Sequence, residues 1–288
     1  MSEFYNFIVG LFKRGKVKES NIKIFLDEAT MAEFKVAFTH PSAGQERDYQ
    51  LYELLGDTVI NEFVVFYLMD RFEKIKSVKW ITRLKHNLIS KKFLALLARK
   101  EGIDNFAIYG DKPFSCSEGK SLGMKQEIEK NQNLDKNMFY LSMLEDIMEA
   151  FFGCLVKTIR KHGKSYGVAK EISNNILKSF FDPVPIPIEY KLVFDPISRL
   201  KELYESKNKE LRWPNDAAYQ CLKNGDEHEI IVYGWPKGDK QPILQNRIEL
   251  GRAKSINKKD AKEEAADKAI KSLENWGITE YVPNPYEK

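Results

Sequence analysis

The sequence predicts two modules of different class: an all-α N-terminal part, and an α+β C-terminal part in the order α-β-β-β-α. Three observations predict this. Up to about residue 190, apolar residues recur at three- and four-residue spacings, without strand-like alternation. At 180–190, FFDPVPIPIEY places Pro183, Pro185 and Pro187 in alternation; each fixes its own φ and biases the preceding residue toward extended backbone. Beyond it, short strand-like runs separated by NGDE and PKGDKQP replace the helical spacing. The boundaries read as a helical domain over 1–181, a Pro-rich connector over 182–193, a second domain over 194–277 and a tail over 278–288.

The helical spacing is clearest in LLGDTVINEFVVFYLMDRF (54–72), KWITRLKHNLISKKFLALLARKEG (79–102) and NMFYLSMLEDIMEAFFGCLVKTIRK (137–161). Gly102 is placed to end the second stretch as a C-cap. Between the last two, residues 110–138 are polar, Gly-rich at first and then charged, and read as an insertion. After the connector, DPISRLKELYESK reads as a helix with Asp195 as N-cap and Pro196 at its first position. AAYQCLK, HEIIVYGW and ILQNRIELG read as three strands, and NKKDAKEEAADKAIKSLENWG as an Ala-rich helix ending at Gly277.

The bulk composition narrows the class. The 288 residues suffice for two ordinary domains, and 43% hydrophobic with 31% charged residues describes a globular chain. A net charge of +4 permits an anionic partner without demanding one. Cys116, Cys154 and Cys221 are odd in number and far apart with no CxxC pair, which argues against a disulfide framework or a zinc site and fits a reducing compartment. The stretch MSEFYNFIVGLFKRGK has an acid before its apolar run and no small-residue cleavage site, so it makes a poor signal peptide. No apolar run approaches the ~20 residues of a membrane span. These features predict an intracellular, cytoplasmic protein with no membrane association.

Chemistry concentrates in two acidic pairs. Glu53 and Asp57 are i and i+4 in one apolar helix, and Asp146 and Glu149 are i and i+3 in another, so each pair shares a helix face. Four carboxylates buried together repel, and a divalent cation would remove the conflict. Oxygen-only ligands suit Mg²⁺ or Mn²⁺, ions that serve phosphoryl chemistry. A single pair also fits a solvated edge or a salt-bridge partner, and spacing alone does not bring the two pairs together.

FTHPSAGQERDYQLYELLGDTVI resembles the signature of the ribonuclease III family, and SMLEDIMEAFFG its second block, with ITRLKHNLISKKFLALLARKEGI matching the helix between them. The resemblance covers about residues 30–180. It implies that Glu53, Asp57, Asp146 and Glu149 hold Mg²⁺, for which Mn²⁺ can substitute, at a scissile phosphate. It also implies an endonuclease that cuts double-stranded RNA to 5′-phosphate and 3′-hydroxyl ends with short 3′ overhangs. In the family this domain works as a homodimer with the signature helix at its interface. Gly56 and Gly153 fall where close helix packing is needed. Gln50 stands where the family often has a further Glu, and is an auxiliary candidate. Leu54 replaces an aromatic residue associated with dimer packing, Pro41 replaces a basic residue, and 110–138 is longer than in compact bacterial members. His40 reads as a structural hydrogen-bonding residue.

In the second module, GRAKSINKKDAKEEAADKAI puts Lys258, Lys259 and Lys262 at the start of a helix, where they oppose its dipole unless they face phosphates; Arg252 and Lys254 add to the patch. A solvated helix face is the alternative for the three lysines. KKDAKEEAA resembles the last helix of the double-stranded RNA-binding domain, which reads A-form shape rather than sequence. That resemblance places further RNA contacts on Ser198, Lys201, Glu202, Glu205 and, in the NGDEH loop, His228. Asp226 replaces the usual Pro of that loop. The sequence therefore predicts a Mg²⁺-dependent ribonuclease III-type endoribonuclease acting on duplex RNA. The alternative is a non-catalytic protein that binds or sequesters duplex RNA on a nuclease-like dimer scaffold.

Overall fold

The structure, a computed structural model, describes residues 2–110, 138–206, 219–234 and 247–287, together with the backbone of 113–114 and 122–123. It divides into two compact units, one ending at Ile186 and the other spanning Pro187–Glu287.

The first unit opens with α1 (Glu3–Arg14), α2 (Glu19–Phe25) and α3 (Glu28–Ala37). Local caps start two of them: Ser2 Oγ accepts from Tyr5 N–H at 3.3 Å, and Asp27 Oδ1 from Thr30 N–H at 2.7 Å. Phe4, Phe7, Phe38 and Phe106 cluster, with ring centroids 5.2 Å apart for Phe4–Phe38 and 4.7 Å for Phe7–Phe106. Then follow α4 (Gln50–Arg71), α5 (Val78–Leu88), α6 (Lys91–Lys100), α7 (Met138–Lys161) and α8 (Tyr166–Phe181). α7 is the axis of the unit: Leu144, Ile147, Met148, Phe151, Phe152, Leu155 and Ile159 are fully buried.

α4 and α7 touch backbone to backbone. A Cβ at Gly56 would lie 1.7 Å from the Glu149 carbonyl oxygen, and one at Gly153 would lie 2.0 Å from the Tyr52 carbonyl oxygen. Hydrogen is the only substituent that fits at either position.

The helical reading needs two corrections. The stretch 79–102 is two helices, because Ile89 leaves helical geometry and Ser90 takes an extended N-cap conformation before α6; the Ser90 hydroxyl donates to the Asn87 carbonyl at 2.7 Å. The unit is also not purely α. Pro113–Phe114 (β1) pairs antiparallel with Leu122–Gly123 (β2), and Thr39 bridges Ile108 in parallel, both too short to register as alternation. The remainder of the insertion over 110–138 lies outside the described residues.

The second unit contains α9 (Tyr190–Val193), α10 (Pro196–Ser206), β3 (Tyr219–Asn224), β4 (Glu227–Gly234), β5 (Ile248–Ser255) and α11 (Lys258–Asn275). The three strands form one antiparallel sheet in the order β3-β4-β5. Asp195 caps α10, accepting from Ser198 N–H at 2.9 Å, and Asn257 caps α11, accepting from Lys259 N–H at 2.9 Å. The alanines of α11 at 261, 265, 266 and 269 are fully buried, in one core with Leu200, Leu203, Ile230, Val232 and Leu250.

The third strand lies later than expected, at 248–255 rather than 243–251, with 243–246 outside the described residues. Gly251 does not end the strand. It lies within β5, where a Cβ would meet the Ala265 carbonyl oxygen of α11 at 2.3 Å.

The stretches read as connector and tail belong partly to this unit. Arg199, 3% exposed, makes paired bonds to Glu280 at 2.9 and 2.6 Å. Tyr190 of α9 donates to Glu202 at 3.0 Å and lies under the Arg199 guanidinium. Among the described residues, no helix is long and apolar enough to cross a membrane.

The glycine contact gives a stability test. Gly56→Ala and Gly153→Ala are each expected to cost about 3 kcal/mol in urea unfolding, because neither backbone can yield without moving a buried helix. Gly10→Ala, which has nothing within 4 Å of its Cβ position, should be neutral or stabilising by up to ~1 kcal/mol.

Candidate active site

The glycine contact sets the acids. Glu53 precedes Gly56 by three residues and Asp57 follows it directly, while Glu149 offers its own carbonyl to the contact. Glu149 is buried at 8% exposure, Glu53 and Asp146 are half-buried, and Asp57 is exposed. The four are thus not all enclosed, as burial of two apolar faces had suggested; Asp57 lies on the solvent side of α4.

All four nevertheless share one electrostatic field. Burial first, then repulsion from Asp57, Glu145, Asp146 and Glu53, pushes the Glu149 carboxyl up to about 8. Burial, with repulsion from Asp146, Glu145 and Asp57, pushes Glu53 up to about 7. Asp146 is raised by burial, against a lowering contribution from the Tyr49 hydroxyl. That hydroxyl donates to Asp146 Oδ2 at 2.6 Å.

Three participants were not singled out in the sequence. Glu145 is raised by burial and partly restored by Lys91, whose ammonium lies 3.0 Å from its carboxylate and donates to Ser142 Oγ at 2.7 Å. Lys91 lies in the first turn of α6, where a cation opposes the helix dipole; that placement was a readable signal. Tyr49 and Glu145 carried none, since both sit at positions that suit core or surface equally.

The donor chemistry suits a hard divalent cation: the clustered groups are carboxylates, two of them raised toward neutral titration by burial first and then by their neighbours. Among the described residues, no group of three or more His, Cys, Asp or Glu side chains is arranged to hold a metal ion. Three of the clustered acids take local partners instead: Asp57 accepts from Asn61 Nδ2 at 2.7 Å, Asp146 from Tyr49, and Glu145 pairs with Lys91. Gln50, exposed at the first position of α4, has its N–H capped by Asp48 Oδ1 at 3.0 Å. His40 is structural: its Nδ1 accepts from Ser42 N–H at 3.0 Å and caps the 3-10 turn at 41–43.

In the second unit Lys254, Lys258 and Lys259 are exposed. Lys259 lies 3.7 Å from Glu263, and Lys254 lies 3.6 Å from Glu229. Lys262 sits over the Tyr219 ring at 4.5 Å. Arg252 adds less to the patch than expected, because Glu249 and Glu229 bind its guanidinium at 2.6 and 2.8 Å. On α10, Ser198 is half-buried near the cap, Lys201 lies 3.7 Å from Glu205, and Glu202 accepts from Tyr190. His228 is not in the loop. It lies in β4 opposite Lys223 and Ser255, with its Nδ1 buried.

Comparison with known proteins bears most directly on the first unit. Residues 50–158 match the family described as Ribonuclease III domain. A provisionally named ribonuclease 3 of Frog virus 3 is 28% identical over 264 residues, covering 91% of this chain and 60% of its own length. The chain thus spans less than two thirds of that relative. Ribonuclease 3 of Carboxydothermus hydrogenoformans is 29% identical, covering 89% of this chain and 91% of its own. The solved nuclease domain of ribonuclease III from Campylobacter jejuni aligns at 21% identity with a TM-score of 0.41, over 61% of this chain and 96% of that one.

The raised acids give a pH test without divalent metal. Glu149 and Glu53 titrate at about 8 and about 7 in the folded chain against an ordinary 4.5, so the unfolded state ionises first as pH rises. Their penalty is absent below the ordinary value and grows as pH rises through 5 to 8. In EDTA, Tm is expected to fall between pH 5.5 and pH 8, by about 2–4 °C for each ~1 kcal/mol lost. Glu149→Gln should flatten that fall and raise Tm at pH 8; an unchanged pH profile would count against the shared field.

Proposed function

We propose that this chain, whose residues 50–158 match the Ribonuclease III domain family, is a metal-dependent endoribonuclease that cleaves double-stranded RNA as a homodimer. The observation that carries this reading is the joining of Glu53, Asp57, Asp146 and Glu149 in one field across the Gly56–Gly153 contact. These four would hold Mg²⁺, or Mn²⁺ in its place. A bound ion supplies Lewis acidity toward the phosphodiester and toward the attacking water.

The chain's own groups do the rest. The helix contact fixes the spacing between the two acidic pairs, and Tyr49 and Lys91 orient Asp146 and Glu145. Gln50, where the family often carries an acid, can hydrogen-bond to RNA or water but adds no charge. The products in this reading carry 5′-phosphate and 3′-hydroxyl ends with short 3′ overhangs.

The signature helix supports the dimer. Leu51 and Leu54 on α4 are 81% and 73% exposed, an apolar pair that a second copy would cover. The exposed lysines at the start of α11 support duplex binding, where helix N–H groups and ammonium groups would face phosphates together.

A cleavage assay on a perfect RNA duplex tests the reading. Wild type should cut in Mg²⁺ and stop in EDTA, and Glu149→Gln should lose at least about 100-fold, since it removes a buried ligand without changing shape. Binding with no product in Mg²⁺ or Mn²⁺ would favour the sequestering alternative. Leu51→Glu with Leu54→Glu should shift the protein toward monomer in sedimentation.

The second unit has its own test. Lys258→Ala with Lys259→Ala should weaken duplex binding and reduce the log–log salt slope by about 1 per lysine. Single-turnover cleavage at saturating RNA should change little, and equal losses in binding and cleavage would show that the second unit is not a separate reader.

A further inference from the structure

We infer that Tyr49 is a positioning residue for the acidic site: its hydroxyl fixes the orientation of the Asp146 carboxylate, and a clasp of Arg47, Glu33 and Tyr52 fixes Tyr49. The inference rests on the reading of Asp146 as a cation ligand.

The hydroxyl donates to Asp146 Oδ2 at 2.6 Å, from a side chain only 3% exposed. Tyr49 is tied down at several points. Its N–H donates to the Thr39 carbonyl at 3.0 Å, and its ring meets His40 edge-on at 5.5 Å. Two residues earlier, Arg47 crosses to α3 and grips Glu33 with both nitrogens, at 3.0 and 2.6 Å. From the first turn of α4, Tyr52 donates to the same carboxylate. Arg47 first, then Tyr52, holds the Glu33 carboxyl down to about 2, so the clasp stays ionised across the neutral range.

The chemistry follows from torsional freedom. An aspartate's terminal torsion is broad and two-fold, so a half-buried carboxylate without a fixed partner presents its oxygens in many directions. A rigid phenol bonded to one oxygen holds the plane and leaves the other oxygen free to bind. Hydrogen-bond partners behind a ligand orient it in this way, and removing one typically weakens metal binding 10–100-fold.

The test is Mn²⁺ binding to the full chain, read as free Mn²⁺ by electron paramagnetic resonance, for wild type, Asp146→Asn, Tyr49→Phe and the double variant. Asp146→Asn should weaken binding, and Tyr49→Phe should weaken it about tenfold. In the Asp146→Asn background, Tyr49→Phe should add almost nothing, because it acts through that carboxylate. In duplex cleavage, Tyr49→Phe should raise the Mn²⁺ concentration for half-maximal rate and leave the rate at saturating Mn²⁺ near wild type. Unchanged binding in Tyr49→Phe, or a loss that adds in full to that of Asp146→Asn, overturns the inference. Unchanged binding in Asp146→Asn overturns the site reading beneath it. If Tyr49→Phe does not fold, Arg47→Gln, at a side chain 54% exposed, carries the test: a several-fold loss absent in the Asp146→Asn background supports the inference, and unchanged affinity overturns it.

Discussion

The site depends on two missing side chains. Packed helices ordinarily lie 8–10 Å apart because side chains separate them. At Gly56 and Gly153 the backbones of α4 and α7 meet, and any Cβ would collide with a carbonyl of the opposite helix. This contact, rather than attraction among the acids, brings Glu53 and Asp57 beside Asp146 and Glu149. Like charges would separate if left to themselves. They stay together because Phe151, Phe152 and the rest of the α7 core bury enough apolar surface to fix the helix pair.

That arrangement works against stability. Glu149 and Glu53 are pushed toward neutral titration by burial and by each other. The fold offsets only part of this, with the Tyr49 hydroxyl on Asp146 and the Lys91 ammonium on Glu145. Lys91 itself stands at a helix N-terminus, where its charge is disfavoured. A cluster of local conflicts inside an otherwise consistent core marks a site shaped for something other than folding.

How much of this could be read from the sequence depends on the range of each interaction. α4, α7 and α11 follow from apolar spacing, and the cap at Asp195 from local residue type. The four acids were legible as pairs within helices. The break at Ile89–Ser90 was not, because apolar spacing continues across it and only the backbone of two residues changes. β5 was misplaced because a glycine within a strand and a glycine ending one look alike until a helix is laid against it. Tyr49 and Asp146 lie 97 residues apart, and Arg199 and Glu280 lie 81 apart. No periodicity links such pairs.

The second unit repeats the logic of the first with the opposite sign. Some of its cations are structural: Arg199 is buried against Glu280, and Arg252 is held on the sheet by Glu229 and Glu249. Those charges are balanced inside the fold and have little left to offer a ligand. Lys258 and Lys259 stand exposed at the start of α11, where the helix dipole opposes them and an exposed i,i+4 pair such as Lys259–Glu263 contributes only a few tenths of a kcal/mol. Helix formation gains nothing from lysines there. An anion gains from both the ammonium groups and the free N–H groups behind them. Acids in an apolar helix and lysines on a helix N-terminus are each poor choices for a chain folding alone. In the proposed function each acquires a partner: a divalent cation for the acids, and the phosphates of an RNA strand for the lysines.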